Sequence, residues 1–271
     1  MSTFLSQSFP SGYEAAERLR HRGQTRKRWR YVGVYGENLM LCAARAQIGP
    51  FGQCFWAVWD REAGRQYDHT SLRPGSSEVT MDGAEVAIET GELRVRLQLG
   101  EAKSIEVTCP SGDSWAWTRK RAGVPASGWI EIGGRRREIG GLAVDDESAG
   151  YHRRRTSWHW SAGVGEAADG RPLAWNLVEG INDPAQGSER AIWVDGEPAE
   201  APPVRFQGLD AIEFSDGRQL RFESESERAR SDNLLLFRSS YRHRFGTFSG
   251  ALGELELAKG LGVMEQHDAL W

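Results

Sequence analysis

Near its end the sequence places two carboxylates and an imidazole within four residues, in Glu265-Gln266-His267-Asp268-Ala269-Leu270-Trp271. An acid and a base at this spacing can pass a proton to and from a bound molecule. In a strand, Glu265 and His267 share one face and Asp268 takes the other. In a helical turn, Glu265 and Asp268 come together at i,i+3. Trp is costly to leave in water, so Trp271 is expected to dock into the body and bring these groups with it. The plain alternative is a polar cluster that latches the terminus.

A further candidate acid is Glu179, at the end of Trp175-Asn176-Leu177-Val178-Glu179. At a period of two, Trp175, Leu177 and Glu179 share a face. A carboxyl on an apolar face is desolvated, its pKa rises, and it can serve as a general acid near neutral pH. The alternative is a structural ion pair with Arg190 or Arg154. Trp158 and Trp160 fall on one face with Arg154 and Thr156, as a pocket wall, a cation–π ladder or a plain core pair. Tyr241 and His243 share a face, and Trp193 follows in Ala191-Ile192-Trp193-Val194-Asp195-Gly196. The expected constellation is therefore Glu179, Glu265 or Asp268 as the acid, with His267 or Tyr241 as the relay. Trp158, Trp160, Trp175 and Trp193 form the lining with Asn176, and Arg154, Arg190 or Arg244 stands ready for an anionic group on a ligand.

The elements that must hold these residues read as strands. Leu93, Val95, Leu97 and Leu99 alternate with Glu92, Arg94, Arg96 and Gln98, as in a half-buried antiparallel strand. Asp216-Gly217 and Asp195-Gly196 sit between alternating apolar runs, a strong hairpin signal. Ser11-Gly12-Tyr13-Glu14 has capping-box spacing and predicts a short helix over Glu14 to Leu19. Many short strands and 32 glycines in 271 residues predict an all-β, antiparallel chain of two consecutive barrels or curved sheets. The expected division is a lead-in over 1–30, a first β domain over 31–148 and a second over 149–271. The second is expected to enclose a cavity within its own indole-rich inner wall.

The net charge of −4 gives no basic footprint for nucleic acid. The six basic residues between Arg20 and Arg30 make a solvated connector, or a peripheral contact with an anionic or membrane surface. Cys42, Cys54 and Cys109 are scattered and odd in number, as expected for buried thiols in a reducing compartment. No spacing suggests a metal site, and no dinucleotide, Walker or serine-elbow motif occurs. With neither a signal-peptide pattern nor a spanning apolar run, a cytoplasmic protein is the default expectation.

Several strings together resemble a bacterial family catalogued as domain of unknown function 2804. They are Thr156 to Gly165, Asn176 to Asp183, Ala191 to Gly196, Phe245-Gly246-Thr247-Phe248-Ser249-Gly250 and the ending Glu265 to Trp271. More distantly the layout is similar to the lipocalin-like double-barrel proteins that include hydroxyneurosporene synthase and tocopherol cyclase. The resemblance implies acid-catalysed hydration, isomerisation or cyclisation of an isoprenoid or lipid-like substrate in an aromatic cavity, without a cofactor. The other readings are a carrier of a small apolar ligand, which would show an unpaired arginine in its cavity, and an interaction protein with a filled interior.

Overall fold

The computed structural model describes residues 12, 16–72, 78–234 and 237–270. A two-stranded hairpin of β1 (Arg20–His21) and β2 (Gln24–Thr25) leads in. The first sheet is built from β3 (Lys27–Tyr35), β4 (Leu39–Ile48), β5 (Phe51–Asp60), β6 (Arg65–Ser71), β7 (Val79–Asp82), β8 (Glu85–Glu89), β9 (Leu93–Leu99), β10 (Ser104–Ser111), β11 (Ser114–Ile132) and β12 (Arg135–Gly150). The second is built from β13 (Arg155–Ala167), β14 (Pro172–Glu179), β15 (Ala191–Val194), β16 (Glu197–Glu200), β17 (Val204–Gln207), β18 (Ala211–Phe214), β19 (Gln219–Leu234), β20 (Phe237–Leu252) and β21 (Leu255–Leu270).

The two sheets share one plan. The first runs β6-β5-β4-β3-β12-β11-β9-β8-β7, with β10 added on β11, and the second runs β16-β15-β14-β13-β21-β20-β19-β18-β17. In each, the last strand returns to pair with the first, so the hairpin ladder curls into a half-barrel that opens between its two edges. In each sheet a side chain ties one edge strand to an inner strand of the other side. Arg45 of β4 donates to the Val79 carbonyl of β7, and Glu179 of β14 accepts from the Phe206 amide of β17.

Period-two alternation sorts the apolar residues into three large cores and a small fourth cluster around Trp115 and Trp117. On β3 and β4, Val32, Val34, Leu41 and Ala43 pack inside the first curl, while Tyr31, Tyr35, Met40 and Cys42 face outward against the second sheet. Inside the second curl, Trp175, Leu177, Phe206, Phe222, Phe248, Leu257 and Met264 interlock. The seam between the sheets holds Tyr31, Tyr35, Met40 and Val144 from one side and Trp160, Val164, Phe245 and Val263 from the other. Gly33 lies on the seam face of β3. A β-carbon there would come 2.3 Å from the Tyr35 hydroxyl and 2.9 Å from that of Tyr31, so the missing side chain is what lets the two phenols meet.

The expected hairpin at Asp195-Gly196 is present, and both turn residues take positive φ (52° and 78°) as a two-residue hairpin of this kind requires. Two expectations are corrected. Residues 16–19 form no helix and are held to the body instead: Arg26 and Arg28 both donate to the Ala16 carbonyl, and Ala16 packs with Trp115 and Trp117. The remainder of that proposed helix, and the docking of Trp271, lie outside the described residues. Among the described residues the inner face of the second half is packed with apolar side chains, and the cavity that Trp158 and Trp160 help to line lies in the seam instead.

Candidate active site

Three adjacent strands of the second sheet lay down a two-row array. Trp160 of β13, Glu265 of β21 and His243 of β20 are directly opposite one another, and the next row is Trp158, His267 and Tyr241. Cross-strand neighbours of this kind point the same way and touch. The array faces β3, β4, β5, β11 and β12 of the first sheet, and a cavity of about 140 Å³ remains between them. Its walls include Trp29, Tyr31 and Phe55 on one side and Trp158, Trp160, Tyr241, Glu265 and His267 on the other.

Glu265 is 7% exposed. Trp158 Nε1 donates to its Oε1 at 3.0 Å, and the Tyr241 hydroxyl faces the same carboxyl without a well-formed hydrogen bond. Burial is the main influence and pushes the carboxyl pKa up to about 7, against the partial relief these two donors give. Next to it, burial lowers His267 to about 4, so its imidazole is neutral at neutral pH. His267 Nε2 is 2.8 Å from Ser239 Oγ, and its ring packs on Trp158 at 4.3 Å and edge-on to Tyr241 at 5.2 Å. Burial likewise lowers His243 to about 3 and raises Tyr241 and Tyr31 well above ordinary phenols. A polar thread runs beneath the array: the Tyr31 hydroxyl is 3.2 Å from both the Tyr35 hydroxyl and His243 Nε2.

A buried ion cluster joins the two sheets at the cavity wall. Lys120 is fully buried and lies 2.5 Å from Asp146 Oδ1 and 3.4 Å from Glu189 Oε2. Burial alone would lower the lysine pKa, but the two carboxylates reverse this and hold it above its usual value. Asn182, in a left-handed conformation (φ 49°), donates to Glu189 Oε2 at 2.9 Å. Arg228 is 5% exposed. Its guanidinium lies over the Phe55 ring at 4.6 Å and the Tyr241 ring at 5.1 Å, and Nη2 donates to Thr70 Oγ1.

The residues singled out from the sequence separate into two groups. Glu265, His267, Tyr241, Trp158 and Trp160 line the cavity. Asp268 is exposed, because β21 is a strand and alternation turns this residue to its other side. Glu179 is half-buried at the edge of β14, where Oε2 accepts the Phe206 amide at 2.8 Å. Trp175 lies in the second curl and donates to Ser161 Oγ. Trp193 lies in the seam but away from the cavity and donates to the Lys103 carbonyl. Asn176 stands one step behind the wall, accepting from Trp160 Nε1 and donating to the Glu189 carbonyl. Arg190 is buried on the carbonyls of Asp183 and Pro184. Arg154 is exposed, and Arg244 pairs with Glu227 and Asp210. In the basic lead-in, Arg22, Arg26, Lys27, Arg28 and Arg30 donate to oxygens of the protein itself, which ties that stretch to the body.

Lys120, Asp146, Glu189 and Arg228 were not visible as site residues in the sequence. Two β-bulges explain Lys120 and Arg228. Between Ser224 and Ser226 the ladder slips, so Phe222 faces the second curl and Arg228, also at an even position, faces the seam. The same happens around Gly123, which divides Ala122 in the seam from Val124 inside the first curl. A bulge that re-aims a charged residue onto an apolar face is the signal that could have been sought.

Among the described residues no group of three His, Cys, Asp or Glu side chains converges as a metal site, and no helix is long and apolar enough to cross a membrane. All three cysteines are buried and none is in a disulfide.

The profile of the family described as domain of unknown function (DUF2804) matches residues 75–271, well over half the chain. The chain belongs to this family. Among solved structures it is similar to a protein provisionally called AttH from Nitrosomonas europaea, with 13% identity, a TM-score of 0.57, and 89% of this chain and 92% of that one covered. It is also similar to kievitone hydratase from Nectria haematococca, with 10% identity, a TM-score of 0.55, and 89% and 88% covered. These likenesses establish the DUF2804 chain's fold as that of the double-barrel proteins. A comparison of the sequence with curated proteins finds no match.

Proposed function

We propose that this DUF2804 protein is an enzyme that protonates a carbon–carbon double bond of a hydrophobic substrate held in the seam, with Glu265 as the acid. The observation that carries this is the placement of the Glu265 carboxyl, buried under aromatic rings at the edge of the cavity, where burial pushes its pKa up to about 7 and keeps a transferable proton near neutral pH. Proton transfer from Glu265 to an alkene carbon leaves a carbocation facing Trp158, Trp160 and Tyr241, whose ring faces stabilise positive charge. The neutral imidazole of His267 can then take a proton from an attacking water, giving hydration, or from an adjacent carbon, giving isomerisation. Attack by a second double bond gives cyclisation. The cavity holds about a ring's volume, so an isoprenoid or lipid-like substrate places its reacting group inside and leaves its remainder outside. The likeness to a hydratase supports the fold's suitability for such chemistry and does not identify a substrate.

The test is incubation with linear isoprenoids and prenylated phenols in D₂O. Mass spectrometry should find deuterium on carbon, with or without added water, for wild type and for Glu179→Gln, but not for Glu265→Gln. Equal labelling by the Glu265→Gln protein, or none by wild type across the panel, would defeat the proposal.

The alternative is a carrier that binds an apolar ligand unchanged. One observation favours it: an arginine in the cavity wall, Arg228, keeps a buried N–H group without a hydrogen-bond partner.

A further inference from the structure

Arg228 is a cavity residue whose hydrogen-bonding capacity is only partly met. Four groups hold its guanidinium. The Phe55 and Tyr241 rings pack against it, Nη2 is bound to Thr70, and Nε lies 3.7 Å from Asp68 Oδ2. Nη1 is buried and has no hydrogen-bond partner. Ring faces attract a cation but accept no strong hydrogen bond, and the Asp68 side chain is 39% exposed, so its charge is well screened. A buried cation left this way is costly unless an anion joins it. The other carboxyl groups of the cavity are already engaged. Asp146 and Glu189 hold Lys120, Asp232 forms a two-bond pair with Arg230, and Glu265 is set toward its neutral form.

From this we infer that the ligand of the cavity carries a carboxylate, and that Arg228 Nη1 binds it. The inference rests on the cavity being the ligand site, as in the proposed function, and supplies the polar end of that ligand. Tyr241 fixes the geometry, since its ring lies under the guanidinium and its hydroxyl faces Glu265. The charged end of one molecule and its protonated carbon are then set apart by about the width of Tyr241. An apolar acid with an unsaturated position a few bonds from its carboxylate fits this arrangement, and a plain hydrocarbon does not. The arginines suggested by the sequence for this task, Arg154, Arg190 and Arg244, are exposed or occupied elsewhere.

The test is isothermal titration of the full chain at pH 6 with 3-phenylpropanoate and with its uncharged methyl ester. Neither has an alkene, so binding is read without turnover. Wild type should bind the acid at least about tenfold more tightly than the ester, the factor expected of one charge-assisted hydrogen bond. Arg228→Met should lose that preference and Arg228→Lys should keep part of it. Glu265→Gln should keep all of it, so this test and the deuterium test fail independently. Equal binding of acid and ester by wild type, binding of neither, or a preference that survives in Arg228→Met overturns the inference. If Arg228→Met does not fold by circular dichroism, the wild-type comparison and Arg228→Lys still decide.

Discussion

Replacing Glu265 by Gln should change how stability depends on pH, and the size of the change follows from the site. The folded carboxyl holds its proton up to about pH 7, whereas in the unfolded chain it releases it near 4.5. Below pH 4.5 both states are protonated and the group makes no difference. Between pH 4.5 and 7 the unfolded chain binds fewer protons than the folded one, so stability falls as pH rises. Above pH 7 the full penalty of an ionised buried carboxylate is present. A rise from 4.5 to about 7, at about 1.4 kcal/mol per pH unit, is worth about 3 kcal/mol. Gln cannot ionise and keeps the shape, so Glu265→Gln should lack this loss. Urea unfolding followed by Trp fluorescence from pH 4.5 to 8.5 would show wild type and variant similar at the acid end and separated by about 3 kcal/mol in the variant's favour at the alkaline end. Lys27, whose pKa burial lowers to about 7, titrates in the same range, but it does so in both proteins and cancels in the difference. Parallel pH profiles would mean that Glu265 is ionised and compensated at neutral pH, and that it is not the proton donor.

Other consequences are as direct. Trp158→Phe removes the indole N–H that stabilises the ionised carboxylate, so the alkaline limb of a deuterium-incorporation pH profile should move upward. Lys120→Met leaves Asp146 and Glu189 buried without their cation and should cost about 3–5 kcal/mol in urea unfolding. Gly33→Ala drives a methyl group against two phenol oxygens and should cost about 1–3 kcal/mol, less in a Tyr35→Phe background where the nearest oxygen is gone.

Much of this could be read from the chain. The alternation at Leu93–Leu99 became a strand with its leucines and valine buried, and the Asp-Gly pairs became turns. The pairing of Glu265 with His267 on one face followed from the same period of two once the segment proved to be a strand. What the sequence hid was which face meets which. Trp175 and Trp160 look alike as strand tryptophans, yet they face opposite cores, because β13 and β14 each present one side to their own curl and the other to the neighbouring half. Lys120 and Asp146 lie far from Glu265 along the chain and in the other sheet, so no local pattern joins them to it. The helical propensity of residues 16–19 was overridden by tertiary bonds to the Ala16 carbonyl.

Placing the aromatic face between the two curls has a cost for each piece taken alone. A fragment ending at Gly150 would present Tyr31, Tyr35, Met40 and Val144 to water, and one starting at Arg155 would present Trp160, Val164, Phe245 and Val263. Such broad greasy surfaces drive clumping. The protein is thus bound to be inherited, expressed and engineered as a whole, and any recombination that swaps one barrel must bring a matching counterpart for the other.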